Sequence, residues 1–205
     1  MRIALTGRSG AIILFDFRAA FPSLSPDFLH AMLATIGMPQ EALNLVASLY
    51  HSQQCNISMA GGTFPGFAVG SGIRQGCPLS PLLFAAATDI LLRLLAKRFP
   101  AMLARAFADD TAAVTADLSG DADALLDIFD SYARMSGLCL NLRKTVIIPL
   151  TTRQVDDWAA EFLRDHPKWA GVQIASWGTY LGFAVGPGKG THSWEKPCSK
   201  LVDRA

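Results

Sequence analysis

Two adjacent carboxylates, Asp109 and Asp110, interrupt a run of short apolar segments, and they restrict the fold more than any other feature of the chain. Residues 102–107 and 111–115 flank them with Ala, Val, Leu, Phe and Thr, a composition that predicts the two arms of a β-hairpin with the acids at its tip. Neighbouring side chains on a regular strand point to opposite faces, so both acids can face one place only if a tight turn lies there. A third acid, Asp16, closes the apolar strand predicted over residues 11–17. Carboxylates at the ends of buried strands are costly unless cations or hydrogen bonds meet them. Distant segments must therefore converge on these acids. An α+β fold answers that demand: an antiparallel sheet carrying the aspartates on one side, with two or three helices packed on its other face.

The remaining pattern supplies those elements. Residues 11–15, Ala-Ile-Ile-Leu-Phe, are continuously apolar, as in a strand covered on both faces. Ser25-Pro26-Asp27 is a helix start, with a capping serine, proline at the first helical position and an acid near the dipole. Phe28, Met32, Leu33 and Ile36 follow at helical spacing until Gly37, and Pro39 opens a second helix with Leu43, Val46 and Tyr50 on one face. Residues 55–59 and 63–69 read as strands across a Gly61-Gly62 turn. A loop, Gly70 to Pro78, precedes a long helix over residues 79–98, and another helix carries Leu125, Ile128, Phe129 and Tyr132 as far as Gly137. Residues 138–142 and 146–148 are strand-like, Val155, Trp158, Ala159 and Phe162 mark a further helix, and residues 180–183 a short strand. From Gly186 the chain is rich in Gly, Pro and Lys and is expected to lack order of its own.

Composition bounds the classes of function. A length of 205 residues suits one domain, or one plus a fragment, with a sizeable core. The 18 Lys and Arg against 17 Asp and Glu leave a net charge of +1, which gives no support to strong binding of a nucleic-acid backbone. Cys55, Cys77, Cys139 and Cys198 have no paired spacing, so a zinc site or disulfide framework is not expected, and reduced core thiols in an intracellular protein fit better. The start of the chain, with Arg2 and Arg8, lacks the pattern of a signal peptide. Asp89 and Arg93 interrupt the longest apolar stretch at i,i+4 spacing, which fits a buried amphipathic helix and no membrane span.

Strand-borne aspartates brought together in this way can hold divalent metals for phosphoryl transfer, although each acid could equally be a solvated strand end. The order of the segments favours the first reading. Asp16-Phe17-Arg18-Ala19-Ala20-Phe21, Gly72-Ile73-Arg74-Gln75-Gly76-Cys77-Pro78-Leu79-Ser80-Pro81-Leu82-Leu83-Phe84, Phe107-Ala108-Asp109-Asp110, residues 136–145 and Tyr180-Leu181-Gly182 follow one another as the motifs of a polymerase palm do. The chain resembles the palm domain of reverse transcriptases of the non-LTR (LINE-type) retroelements over residues 11–186, and the stretch from Arg74 to Phe84 is the most specific part.

The resemblance implies an RNA-directed DNA polymerase palm: residues 1–150 as its core, and residues 151–205 as the primer-grip hairpin with the truncated start of a thumb. It implies two Mg2+ ions, with Mn2+ as a substitute, held chiefly by Asp16 and Asp109 with Asp110 as a secondary ligand. The implied partners are an RNA template, a DNA primer and a dNTP, together with fingers, thumb or endonuclease segments of a parent polyprotein. Phe21 matches a steric gate against a ribose 2′-hydroxyl, and is otherwise a core phenylalanine. Gln75 and Gly76 would floor the nucleotide site, Arg74 would contact template or cap the loop, and Lys144 would protonate the leaving pyrophosphate or simply be solvated. Tyr180, Leu181 and Gly182 match the primer grip, and Cys77 is a packed thiol.

The chain departs from the family pattern in three places. Only about fifteen residues precede Asp16 where a fingers region is expected, Pro22 stands where the family has an acid, and Phe107 replaces a tyrosine. The expectation is therefore a palm fragment with little activity alone. The alternatives are a non-catalytic retroelement remnant that binds nucleic acid weakly, or an RNA polymerase or group II intron maturase palm, which Phe21 and the Arg74-to-Phe84 stretch disfavour. Residues 70–76 lack the lysine of an NTP-binding glycine loop. A nuclear location would follow only for part of an active retroelement.

Overall fold

The structure is a computed structural model that describes residues 10–50 and 52–202; the leading segment with Arg2 and Arg8 lies outside the described residues. At its centre is β1 (Ala11–Phe15), which pairs antiparallel with β5 (Asp110–Thr115) on one side and β6 (Val146–Pro149) on the other. β4 (Leu103–Phe107) pairs with β5, and β7 (Gln173–Ile174) closes the opposite edge, giving the order β4-β5-β1-β6-β7. The sheet is antiparallel as expected except at that edge, where β7 runs parallel to β6.

One face of the sheet carries the core. Ile13, Phe15, Ala113 and Ile147 are buried with residues of four helices: α2 (Pro26–Thr35), α3 (Gln40–Tyr50), α4 (Ser80–Arg98) and α5 (Leu118–Ser136). The Phe15 and Phe129 ring centroids are 4.6 Å apart, which locks β1 to α5. Ser25 caps α2 as its sequence predicts, accepting from the Phe28 N–H at 3.2 Å. Asp117 caps α5 in the same way, and Gly137 ends it in the left-handed region at φ 80°. A side chain at Gly137 would also collide with the Ser23 carbonyl, so that position admits only glycine. α6 (Val155–Asp165) and the 3-10 turn Pro167–Trp169 bring Trp158, Phe162 and Trp169 into this same core.

The other face is covered by a hairpin, β8 (Gly178–Tyr180) and β9 (Phe183–Val185). Its backbone lies so close to the sheet that a Cβ on Gly178 would come within 2.8 Å of Leu14 Cδ1 and 3.3 Å of Ile148 Cδ1. A separate two-stranded ribbon, β2 (Gln53–Met59) and β3 (Gly62–Val69), exposes Ile57, Met59, Phe64 and Phe67.

Several expectations require correction. Residues 138–142 are not a strand: Leu140 makes a single bridge to Phe17, and the chain then turns so that the Lys144 and Thr145 N–H groups donate to Asn141 O. Arg18 N donates to Cys139 O and Asn141 N to Asp16 O around that bridge, and the turn at Asn141 ends the pairing before a strand can extend. The ribbon turn is Ala60-Gly61, with φ 50° and 79°, and Gly62 already belongs to β3. Two-residue hairpin loops of this kind need two consecutive positive φ angles, and these are the residues that supply them. For the same reason Leu181 and Gly182 (φ 49° and 82°) form a turn between two strands instead of lying within one. A short helix, α1 (Ala20–Ser23), follows Asp16 and had no signal in the sequence. The segment after Gly186 is ordered as α7 (His192–Val202), tied back where Ala184 N donates to Ser193 Oγ at 2.8 Å and where His192 stacks on Trp177 at 4.2 Å. The cysteines are not core thiols, since Cys139 and Cys198 are exposed and Cys55 and Cys77 only half-buried.

Candidate active site

Strand register assembles the acids. The β1–β5 pairing ends at Phe15↔Thr111, and the next step along both strands sets Asp16 across from Asp110, on the face that carries Leu14 and Ala112. The residue directly opposite Asp16 is therefore Asp110, while Asp109 sits beside it in the two-residue turn with Ala108. Ala108 has φ 52°, a conformation costing an L residue roughly 1–2 kcal/mol, so the tip that presents Asp109 is held under strain. Partial withdrawal from water, followed by the negative charges of Asp109 and Asp16, pushes the Asp110 carboxyl above the usual carboxylate range. Tyr180 reaches the same place: burial, then the Asp110 charge, raises its phenol. Leu181 and Gly182 follow in the exposed turn.

Asp16 is gripped by the turn after Leu140. Asn141 Nδ2 donates to Asp16 Oδ2 at 3.0 Å, Asn141 N donates to Asp16 O at 2.7 Å, and Asp16 N lies 3.5 Å from Thr145 Oγ1. Asn141 and Thr145 were missed as site residues in the sequence, although both lie in the 136–145 stretch that resembles a palm motif. Lys144 is exposed on this same turn, and among the described residues it makes no ion pair.

A second group forms around the glycine-rich loop. Phe21, Arg74, Gln75 and Gly76 line one open cleft of about 430 Å³ with Cys77, Pro78, Ser80 and Pro81. Backbone pairing sets this geometry, because Ile73 N donates to Phe21 O at 2.9 Å and Gly72 N to Leu24 O at 2.8 Å. Gly72 has φ 91°, and a Cβ there would come within 2.6 Å of Pro22 O, so the loop can approach α1 only through glycine. Phe21 stacks on Phe84 at 4.7 Å with its ring plane tilted by 16°. Arg74 Nε donates to Gln53 Oε1 at 3.2 Å, which fastens the loop to β2. Cys77 is half-buried, and its thiol is lowered chiefly by the Leu79 N–H, with Ser80 and Tyr50 helping.

Among the described residues, no three acidic, thiol or imidazole groups converge into a complete metal cage. A Mg2+ ion that keeps several waters and takes substrate phosphates needs only one or two carboxylates, and the Asp16–Asp110 pair with Asp109 beside it supplies that donor set.

A mostly antiparallel sheet with acids at its strand ends and helices packed on one face has the architecture of a polymerase palm. The chain matches the reverse transcriptase (RNA-dependent DNA polymerase) family over residues 2–185 and belongs to it. It is 28% identical over 185 residues to the uncharacterized 149 kDa protein of transposon TX1 from Xenopus laevis, covering 86% of this chain and 14% of that protein. The Pol polyprotein of type-2 retrotransposable element R2DM from Drosophila melanogaster is 32% identical over 143 residues, covering 67% of this chain and 13% of that protein. That of type-1 retrotransposable element R2 from Popillia japonica is 31% identical over 157 residues, covering 72% of this chain and 26% of that protein. These relatives place the chain with non-LTR retroelements, and it spans between 13% and 26% of their length. Among solved structures, apo telomerase from Candida tropicalis truncated from its C-terminal domain shares the fold with a TM-score of 0.63 at 15% identity, covering 87% of this chain and 34% of that one. Telomerase from the same organism, in complex with the TWJ fragment of telomeric RNA, gives a TM-score of 0.61 at 15% identity over 90% of this chain and 29% of that one.

Proposed function

We propose that the chain is the palm of an RNA-directed DNA polymerase, adding deoxynucleotides to a DNA primer on an RNA template by two-metal nucleotidyl transfer. The observation that carries this reading is the β1–β5 register, which sets Asp16 opposite Asp110 with Asp109 in the adjoining turn. Asp16, Asp109 and Asp110 would hold two Mg2+ ions, or Mn2+ in their place. Bound there, the pair supplies charge stabilisation to the attacking and leaving oxygens.

The chain's own residues do the positioning. Phe21, braced by Phe84 at the cleft edge, excludes a ribose 2′-hydroxyl by its bulk. Gln75 and Gly76 form the floor on which the incoming nucleotide and template base rest, and Arg74 fixes that floor to β2 while facing the template. Tyr180, Leu181 and Gly182 hold the primer end beside Asp110. Lys144, on the turn that grips Asp16, delivers a proton to the departing pyrophosphate.

We propose further that the palm core extends past residue 150 through β7, with the primer grip after it, and that this chain alone has little polymerase activity. Positioning of the triphosphate provides much of phosphoryl-transfer catalysis, and the chain spans 26% or less of its curated relatives. Primer extension on a homopolymer RNA template with Mg2+ or Mn2+ tests this, and robust extension by the 205-residue chain would refute it. The net charge of +1 favours a second reading, a non-catalytic remnant with weak nucleic-acid binding. Thermal stabilisation by Mn2+ that Asp109→Asn abolishes supports the preserved site, and equal stabilisation of both proteins supports the remnant.

A further inference from the structure

We infer that Asn141 is a positioning residue for Asp16, fixing which carboxylate oxygen is presented to a cation. The inference rests on the metal-site reading of Asp16 given above. Asp16 and Asp110 are like charges facing each other across a strand pair, so each carboxylate is driven to rotate away from the other. Asn141, 125 positions away in sequence, opposes that rotation on the Asp16 side with its 3.0 Å bond to Oδ2. Among the described residues Oδ1 has no hydrogen-bond partner, so it is the oxygen left for a metal.

The donor is also held rigidly. Asn141 O accepts from Lys144 N at 3.1 Å, Thr145 N at 2.9 Å and Thr145 Oγ1 at 3.0 Å, and Thr145 is fully buried. Asn141 N completes the grip on the Asp16 backbone. An amide suits this role because it is neutral: it orients the carboxylate without cancelling the charge that attracts a divalent ion. A lysine or arginine at this position would orient Asp16 and neutralise it together.

The test is Mn2+ titration of the metal-free 205-residue chain, read by electron paramagnetic resonance, alongside metal-free thermal melts. The proteins are wild type, Asn141→Ala, Asn141→Leu and Asp16→Asn. Asn141→Leu keeps the side-chain volume without the donor and stands in if the alanine variant fails to fold. Loss of the donor is expected to weaken Mn2+ binding about 10–100-fold with little change in metal-free melting, and Asp16→Asn to remove the site. If Asn141 variants melt lower yet bind Mn2+ as wild type while Asp16→Asn does not, the residue is merely structural and the inference falls, with the metal site intact. If Asp16→Asn binds Mn2+ as tightly as wild type, the metal reading itself fails and takes the inference with it.

Discussion

Gly72 shows how much of the site is decided at single residues. Its N–H donates to Leu24 O, its φ is 91°, and the Pro22 backbone occupies the space a Cβ would need. Gly72→Ala is therefore expected to destabilise the chain by more than about 1 kcal/mol, since both the conformation and the close approach are lost, and urea unfolding checks it. Gly76 has φ 85° but open space around it, so Gly76→Ala is expected to carry the conformational strain alone and to cost less in the same assay. Tyr132 is fully buried and donates to Ala87 O at 2.9 Å, and burial pushes its phenol well above the usual range. Tyr132→Phe is expected to cost about 0.5–1.5 kcal/mol through the lost hydrogen bond, measured in the same way. Legibility at this scale follows the same division. The acids Asp109 and Asp110, and the glycines of the loop, carry their chemistry on their face. The facing of Asp16 and Asp110 belongs to strand register, which only the paired strands reveal, and the grip of Asn141 belongs to a turn that apolar neighbours disguise as a strand.

At the scale of elements, turns and caps did most to make the fold readable, and failed where two readings compete. Ser25-Pro26-Asp27 starts α2 because capping serine, proline and acid each act within one turn of the helix. The ribbon turn was harder to place, because Gly61 and Gly62 both permit positive φ and the pairing Met59↔Gly62 selects Ala60-Gly61 instead. Asn-Gly is the favoured pair for such a loop, so Ala60→Asn is expected to raise the melting temperature of the chain, by roughly 1–4 °C, and a thermal melt checks it. The hairpin of β8 and β9 depends on glycine for contact as well as for its turn: Gly178 lets its backbone lie on Leu14 and Ile148. That contact places Tyr180 near Asp110, and nothing local to Gly178 in the sequence announces it.

At the scale of the whole molecule, one core runs from β1 to the 3-10 turn after α6. Phe129 touches Phe15 at 4.6 Å and Phe17 at 6.1 Å, and it is fully buried. Phe129→Ala is expected to cost about 3–5 kcal/mol, seen as a shift of the urea midpoint. Trp158 and Trp169 lie in the same cluster, so their fluorescence and the far-ultraviolet circular dichroism are expected to report one coincident transition. The helical faces of this core were legible because their periodicity repeats. α7 was not, since the Gly- and Lys-rich composition hides contacts made with Ala184 and Trp177. The most direct test of the central claim is anomalous diffraction from crystals of the chain soaked in Mn2+. The account predicts a manganese peak bonded to Asp16 together with Asp109 or Asp110; a well-ordered site in which all three carboxylates stay free of metal, while manganese binds elsewhere, would contradict it.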